Sequence, residues 1–241
     1  MQLSVVIPMY NEVDNAASLL HEVGAALRGR FAYEIVVVDD GSSDGTGERL
    51  MELKRDIAEL RVVRHRRNFG QSAGIFSGIR AATAPLVATL DGDGQNNPAD
   101  IPALYEEAQR QAGSGASVLV AGNRHKRNDN WLRRLSSRVA NGVRQGLLQD
   151  DCMDTGCGLK VFPRQTFLEL PHFDHFHRFL PALFKRAGGR IVNVPVGHRP
   201  RAHGQSKYGI WNRLWVGIID LMGVRWLQRR PCRPEWEYES E

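Results

Sequence analysis

The stretch Leu86-Val-Ala-Thr-Leu-Asp91-Gly-Asp93-Gly-Gln95 decides how the rest of the chain is read. The short apolar run Leu86–Leu90 predicts a buried strand, and it breaks off into Asp-Gly-Asp-Gly-Gln. Two carboxylates one residue apart, on a glycine-flanked turn at a strand's C-terminal end, point toward one opening. Carboxylates that close repel each other unless one takes a proton or a cation lies between them. Hard divalent cations, Mg2+ or Mn2+, suit such oxygen ligands and usually carry substrate phosphates as well. In open α/β sheets, ligands gather just beyond the C-terminal ends of the strands. The expectation is therefore a site for a cation and a diphosphate. The competing reading is a solvated Asp-Gly turn, because both residues are common in turns.

Working outward, four more apolar runs predict strands: Val5-Val6-Ile7-Pro8, Glu34–Val38, Leu60–Arg64 and Ser117–Ala121. Amphipathic stretches of helical length separate them, at Asp14–Leu27, Asp44–Leu53, Gln71–Ala82 and Pro98–Gln111. Apolar strands alternating with helices argue for βαβ units, a mostly parallel sheet and right-handed crossovers. No repeat or low-complexity segment interrupts the pattern.

Composition bounds the partners. The 241 residues carry a formal net charge of +5 and are 42% hydrophobic. Such a charge suits an anion: a nucleotide, a nucleic acid or a membrane surface. The chain runs from Met1-Gln2 into an apolar strand with no basic leader, so no signal peptide is expected. No apolar run reaches the roughly 18 to 20 residues of a spanning helix. Three cysteines, Cys152, Cys157 and Cys232, lack zinc-like spacing and fit a reducing cytoplasm.

Two other strands also end in polar turns. The first runs into Pro8-Met-Tyr10-Asn11-Glu12, and the second into Asp39-Asp40-Gly41-Ser42-Ser43-Asp44-Gly45-Thr46. Asp44 is expected to cap its helix, since Asp before a helical run satisfies free amides, and Asn11 has the same option. Asp39 and Asp40 are adjacent carboxylates that need partners; the ring N–H groups of a nucleobase would serve.

These three turns, with Leu90-Asp91-Gly92-Asp93-Gly94-Gln95, resemble in order and spacing the N-terminal signatures of family 2 glycosyltransferases. The resemblance implies a GT-A fold, a Rossmann-like nucleotide-sugar-binding sheet flanked by helices. It implies that Pro8, Tyr10, Glu12, Asp39, Asp40 and Asp91 hold the nucleoside side of the donor. It further implies that Asp91, Asp93 and Gln95 hold Mg2+ or Mn2+ on the diphosphate.

The second half narrows the resemblance. Between Arg124 and Arg144 stand seven Lys/Arg against Asp129 alone, a run that by itself reads as a solvated helix face. Yet Gly122-Asn-Arg124, Ser137-Arg138-Val-Ala-Asn141, Asp154-Thr-Gly156-Cys-Gly158-Leu-Lys160 and Arg201-Ala-His-Gly204-Gln-Ser206-Lys207 resemble the dolichol-phosphate mannose synthases and bacterial polyprenyl-phosphate glycosyltransferases. The likeness runs from about Leu3 to Trp226. It departs at Cys157–Lys160, which leaves the donor sugar open. It implies an acceptor phosphate met by Arg124, Arg138, Arg201, Ser206 and Lys207; Arg suits this because its planar fork binds two oxygens at once. Asp93, Arg138 and Asp154 are the expected catalytic residues, Asp154 as a carboxylate that orients the acceptor. His172, His175 and His177 complete no metal spacing and read as polar surface residues at a loop–helix junction.

Tyr208–Gln228 predicts a helix with Trp211, Leu214, Trp215, Ile218 and Met222 as an apolar stripe. Two readings stand: a helix packed on the sheet, or an interfacial helix with Trp at the headgroups and Arg225, Arg229 and Arg230 on anionic lipid. The chain then divides into a GT-A unit over 1–210, an amphipathic helix over 211–230 and an acidic tail over 231–241 expected to be disordered. The expected activity is cation-dependent, inverting transfer of a sugar from a UDP- or GDP-sugar to undecaprenyl or dolichyl phosphate. It is expected at the cytoplasmic face of a membrane, bound peripherally or through a membrane partner. Transfer to a glycan or glycolipid hydroxyl is the alternative. Nucleic-acid binding is not expected, because Lys/Arg-aromatic motifs are missing.

Overall fold

The computed structural model describes residues 1–113, 115–124, 142, 144–200 and 210–230, with 210–216 as backbone alone. The elements are β1 (Leu3–Met9), α1 (Val13–Leu27), β2 (Tyr33–Asp39), α2 (Thr46–Asp56), β3 (Leu60–Arg64), α3 (Gln71–Ala81) and β4 (Leu86–Thr89). A 3-10 turn, Pro98–Asp100, leads into α4 (Ile101–Ala112); then come β5 (Val118–Arg124), β6 (Lys160–Pro163) and α5 (Arg164–Glu169). A second 3-10 turn, Phe176–Phe179, precedes α6 (Leu180–Arg186), β7 (Arg190–Val196) and α7 (Ile210–Gln228).

The β-branched runs of β1 and β2 are apolar on both sides of the pleat, the pattern of strands covered on both faces. Side chains alternate accordingly. Val5, Ile7, Ile35 and Val37 join one buried cluster with Leu19, Leu20, Leu50 and Leu104; Val6, Val36, Leu119 and Phe162 join another with Ile75, Ile79 and Phe184. The seven strands lie in the order β3-β2-β1-β4-β6-β5-β7. All neighbours are parallel except at β6, which runs antiparallel to both β4 and β5. The sheet is thus mostly parallel, as expected, with two strands that the periodicity did not show. β6 is four residues long and opens on a lysine; β7 carries Pro195, tolerable because it is an edge strand.

This topology sends β1, β2, β4 and β5 toward one edge, where β6 begins. Thr89 at the end of β4 faces Lys160 at the start of β6. The acidic turns and the segment Asp154–Leu159 therefore meet at one end of the sheet.

Two expectations change. The histidines are only partly exposed, and each is engaged by the protein. His172 packs at 4.6 Å from Phe76 and 5.0 Å from Phe167, His177 Nδ1 lies 2.7 Å from Ser72 Oγ, and His175 Nδ1 lies 3.3 Å from Asp220 Oδ2. The aromatic run around them supplies an apolar setting, and burial, aided by Arg178 and Lys160, pushes the His177 pKa down to about 3. The other change concerns α7, whose inner face packs through Leu221, Val224 and Leu227. Arg186 Nε closes its C-terminal end by donating to the Leu227 carbonyl at 2.8 Å. Ile218 and Met222, from the predicted stripe, point outward. The helix is both packed and apolar outside.

Candidate active site

The site starts from two turns sewn together. β1 and β2 pair in register up to Met9 and Asp39, so the turns that follow lie side by side. The Asn11 amide donates to Ser42 Oγ (3.0 Å), the Ser43 amide to Asn11 Oδ1 (2.8 Å) and the Glu12 amide to Thr46 Oγ1 (3.0 Å). The capping expectations are corrected here. Glu12 and Gly45 occupy the N-cap positions of α1 and α2. Asp44 instead spans both helices, accepting from the Val13 amide at 3.2 Å and from the Thr46 amide at 2.9 Å. Asn11 spends its oxygen on the neighbouring turn.

Asp39 is buried and accepts from the Ser42 amide (3.0 Å) and Arg64 Nε (3.3 Å). Asp40 is buried as well, and its occupation differs from the expectation. His65 Nδ1 (2.6 Å) and the Phe69 amide (2.9 Å) reach Oδ1; Asn68 Nδ2 (3.0 Å) and the Gly70 amide (2.8 Å) reach Oδ2. A carboxylate offers about four acceptor positions. Protein donors fill those of Asp40, which leaves none for a nucleobase. These bonds hold the loop His65–Gly70 against the turn that follows β2. Gly41, at φ 71°, permits that contact, since a Cβ there would overlap the Arg67 backbone. This loop was passed over in the sequence, although its polar run ending in Gly70 marks a helix start.

The next residue reaches the third turn: Gln71 Nε2 donates to Asp91 Oδ1 at 2.8 Å. The Asp91 amide donates to Asn96 Oδ1 at 3.1 Å, and the Gln95 amide to Asp93 Oδ1 at 3.1 Å. Asp91 keeps some surface on the opening but is hemmed in by protein atoms. Burial, and then the Asp93 carboxylate, push its pKa up to about 6, against the pull of Lys160 and Arg124. Gly158 lies so close that a Cβ there would overlap the Asp91 carboxyl group. Among the described residues, no three His, Cys, Asp or Glu side chains gather as a metal cluster. Two crowded carboxylates, with the Gln95 amide oxygen nearby in sequence, nonetheless fit a hard cation that keeps water and phosphate among its ligands.

On the other side, Arg124 at the end of β5 forks onto Asp154, with Nε to Oδ2 at 2.6 Å and Nη2 to Oδ1 at 2.8 Å. Burial disfavours the guanidinium charge, but Asp154 outweighs it and holds the Arg124 pKa above its ordinary value. Both carboxylate oxygens of Asp154 are thereby engaged by one guanidinium. The thiols of Cys152 and Cys157 are buried, and burial raises both, Cys152 to about 11. Neither is a ready metal ligand. Arg138, Arg201, Ser206 and Lys207 lie outside the described residues. Gln71 and the His65–Gly70 loop were not singled out in the sequence, and Lys160 stood there only as the end of a motif.

A mostly parallel sheet with an Asp-Gly-Asp turn at one end defines a class, and comparison places the chain in it. The model of Glycosyl transferase family 2 matches residues 4–170, and the chain belongs to that family. It is 34% identical over 238 residues to dodecaprenyl-phosphate galacturonate synthase of Rhizobium johnstonii, covering 97% of this chain and 69% of the relative. It is 39% identical over 222 residues to undecaprenyl-phosphate 4-deoxy-4-formamido-L-arabinose transferase of Edwardsiella ictaluri, covering 91% and 65%. The chain thus spans about two-thirds of the length of these relatives. Among solved structures, glucosyl-3-phosphoglycerate synthase from Mycobacterium tuberculosis, in complex with Mg2+ and UDP, superposes with a TM-score of 0.67. That match has 18% identity and covers 93% of this chain and 79% of the other, a likeness of fold.

Proposed function

We propose that this glycosyltransferase moves a sugar from a nucleoside diphosphate sugar to a polyprenyl phosphate, with inversion. The observation that carries this reading is the Asp91–Asp93 turn set against the Arg124–Asp154 pair at the parallel edge of the sheet. An acidic half suited to a cation and diphosphate thereby adjoins a basic half suited to a second anion. The names of the two relatives support the lipid phosphate, and the UDP complex of the related fold supports the donor class.

In this reading Asp91, Asp93 and Gln95 hold Mg2+ or Mn2+, which supplies Lewis-acid stabilisation of charge on the departing diphosphate. Asp39, with Pro8, Tyr10 and Glu12, lines the nucleoside side. Asp40 positions that wall without touching the ligand. Arg124, Arg138, Arg201, Ser206 and Lys207 meet the acceptor phosphate. That phosphate is ionised near neutral pH and needs no strong base, which agrees with an Asp154 engaged by Arg124. Asp154 then orients Arg124 and the acceptor. Catalysis rests on placement and preorganised charge. No helix among the described residues is long and apolar enough to cross a membrane. The outer face of α7 is the proposed contact with the cytoplasmic membrane surface.

The test is a thermal shift panel of UDP, GDP, CDP and dTDP, each with Mn2+, Mg2+ or chelator, followed by transfer assays on undecaprenyl phosphate. One diphosphate should stabilise the protein only with cation, by about 2.7 kcal/mol at a hundred times its Kd. The matching nucleotide sugar should then label the lipid. No stabilisation by any pair would overturn the donor reading. Transfer to a sugar hydroxyl but not to lipid phosphate would overturn the acceptor.

A further inference from the structure

Lys160 is a buried charge beside the site that the mechanism above leaves unused. It is 4% exposed and sits in the middle of the sheet, opposite Thr89 of β4 and Ala121 of β5. Buried lysines ordinarily meet a carboxylate, because an isolated ammonium is costly to desolvate. Here Nζ donates to two carbonyls, those of Cys157 and, at 3.3 Å, Thr155. Both belong to the turn Asp154–Gly158. That turn has two further ties: Thr89 Oγ1 donates to the Gly158 carbonyl at 2.7 Å, and Arg124 grips Asp154. At one end of the turn Asp154 faces Arg124; at the other, the Gly158 backbone lies against the Asp91 carboxyl group. Five residues therefore connect the basic half of the site to the acidic half, and a single ammonium spans the carbonyls between them.

We propose that Lys160 is a positioning residue that sets the separation of the donor and acceptor halves by clamping the Asp154–Gly158 turn. Two carbonyl oxygens need a donor with more than one N–H, and an ammonium on a long stem offers three. A clamp of this kind need not stabilise the fold. Removing the ammonium relieves its own desolvation but leaves two carbonyls without their donor, so stability and position have to be read out separately.

The catalytic side of this inference rests on the proposed transfer reaction; the clamp itself does not, and the test separates them. Lys160→Met, Lys160→Gln and Lys160→Arg would be compared in the full chain. A first readout needs no substrate: alkylation of Cys157 by a small maleimide, with Cys152 as internal reference and peptides resolved by mass spectrometry. Both thiols are buried. Lys160→Met should speed labelling of Cys157 by about tenfold or more relative to Cys152, as expected when only a local turn loosens. In transfer assays it should lower kcat by about 100-fold while the donor KM stays within about threefold, the effect of misplacement by about an ångström. Lys160→Arg, which keeps charged donors, should recover most of that loss. Lys160→Gln should fall between them, and it carries the test if the Met variant does not fold. Parallel acceleration of Cys152 and Cys157 with a lowered Tm would show a general fold role and overturn the proposal. Unchanged labelling, or a kcat within about threefold of the parent, would overturn it as well.

Discussion

Asp91 is pulled in opposite directions by its surroundings. Its carboxyl pKa stands at about 6 instead of the ordinary 3.8, chiefly through burial and secondly through Asp93. Between those values the folded protein holds a proton that the unfolded chain has released. Without a cation, this residue therefore makes stability fall as pH rises from about 4 to about 6, and the penalty persists above that window. Asp91→Asn removes the charge. Measured with chelator at pH 7.5, it should raise Tm by about 2–4 °C while abolishing cation-dependent stabilisation by nucleoside diphosphates. A lowered Tm with the nucleotide response intact would refute this account. Asp40 differs in its contacts, since His65, Asn68 and the Phe69 and Gly70 amides all meet its carboxylate.

Among the elements, α7 has the least settled surroundings. Val224 is fully buried on its inner face, whereas Ile219 and Met222 are each 70% exposed and Trp226 is 57% exposed. The Arg230 guanidinium lies 5.4 Å from the Trp226 ring centroid, which places a cation beside the apolar face. Contiguous exposed apolar side chains rimmed by charge mark an interaction surface, and Trp with Arg suits a headgroup layer. The double variant Ile219→Glu/Met222→Glu should leave Tm within about 2 °C, as surface changes do, but end cosedimentation with vesicles containing anionic lipid. Val224→Ala should reverse the pattern, losing about 1–3 kcal/mol of stability from the packed face while vesicle binding persists. Retained sedimentation by the acidic variant would remove the helix from the membrane contact.

At the scale of the whole molecule, the sheet is tied at the end away from the site by Glu34. Ser4 Oγ (2.6 Å), the Thr83 amide (2.6 Å) and Thr83 Oγ1 (2.7 Å) donate to its Oε1, and Arg61 donates to its Oε2 at 2.8 Å. Burial opposes the charge, but these donors outweigh it and bring the pKa down to about 2 from 4.5. A depressed carboxyl stabilises the fold above its unfolded pKa. Its contribution should fade as pH falls from about 4.5 toward about 2. Glu34→Gln should cost about 1–3 kcal/mol at pH 7 by mismatching these donors and should flatten the acid limb of the denaturation profile. An unchanged acid limb would assign the transition to other groups.

The sequence by itself determined the alternation of strands and helices, the parallel character of the sheet and the gathering of the acidic turns. β-branched runs such as Val36-Val37-Val38 can be buried on both faces only in such an arrangement, and glycine-flanked acids can only follow them at strand ends. What it could not supply was the partner of each polar group. Asp39 and Asp40 are alike as neighbours in sequence, but only tertiary structure brings His65, Asn68, Phe69 and Gly70 onto one of them. Lys160 stood in the sequence only as the end of the Asp154–Lys160 motif; its carbonyl partners appeared once β6 lay between β4 and β5. The stripe on α7 was legible by period, whereas the outward direction of Ile218 and Met222 depended on Leu221, Val224 and Leu227 meeting the core. Strand and helix preferences are local, set by neighbours along the chain; hydrogen-bond satisfaction and the choice of a buried face depend on groups far apart in sequence, and only the folded chain brings those together.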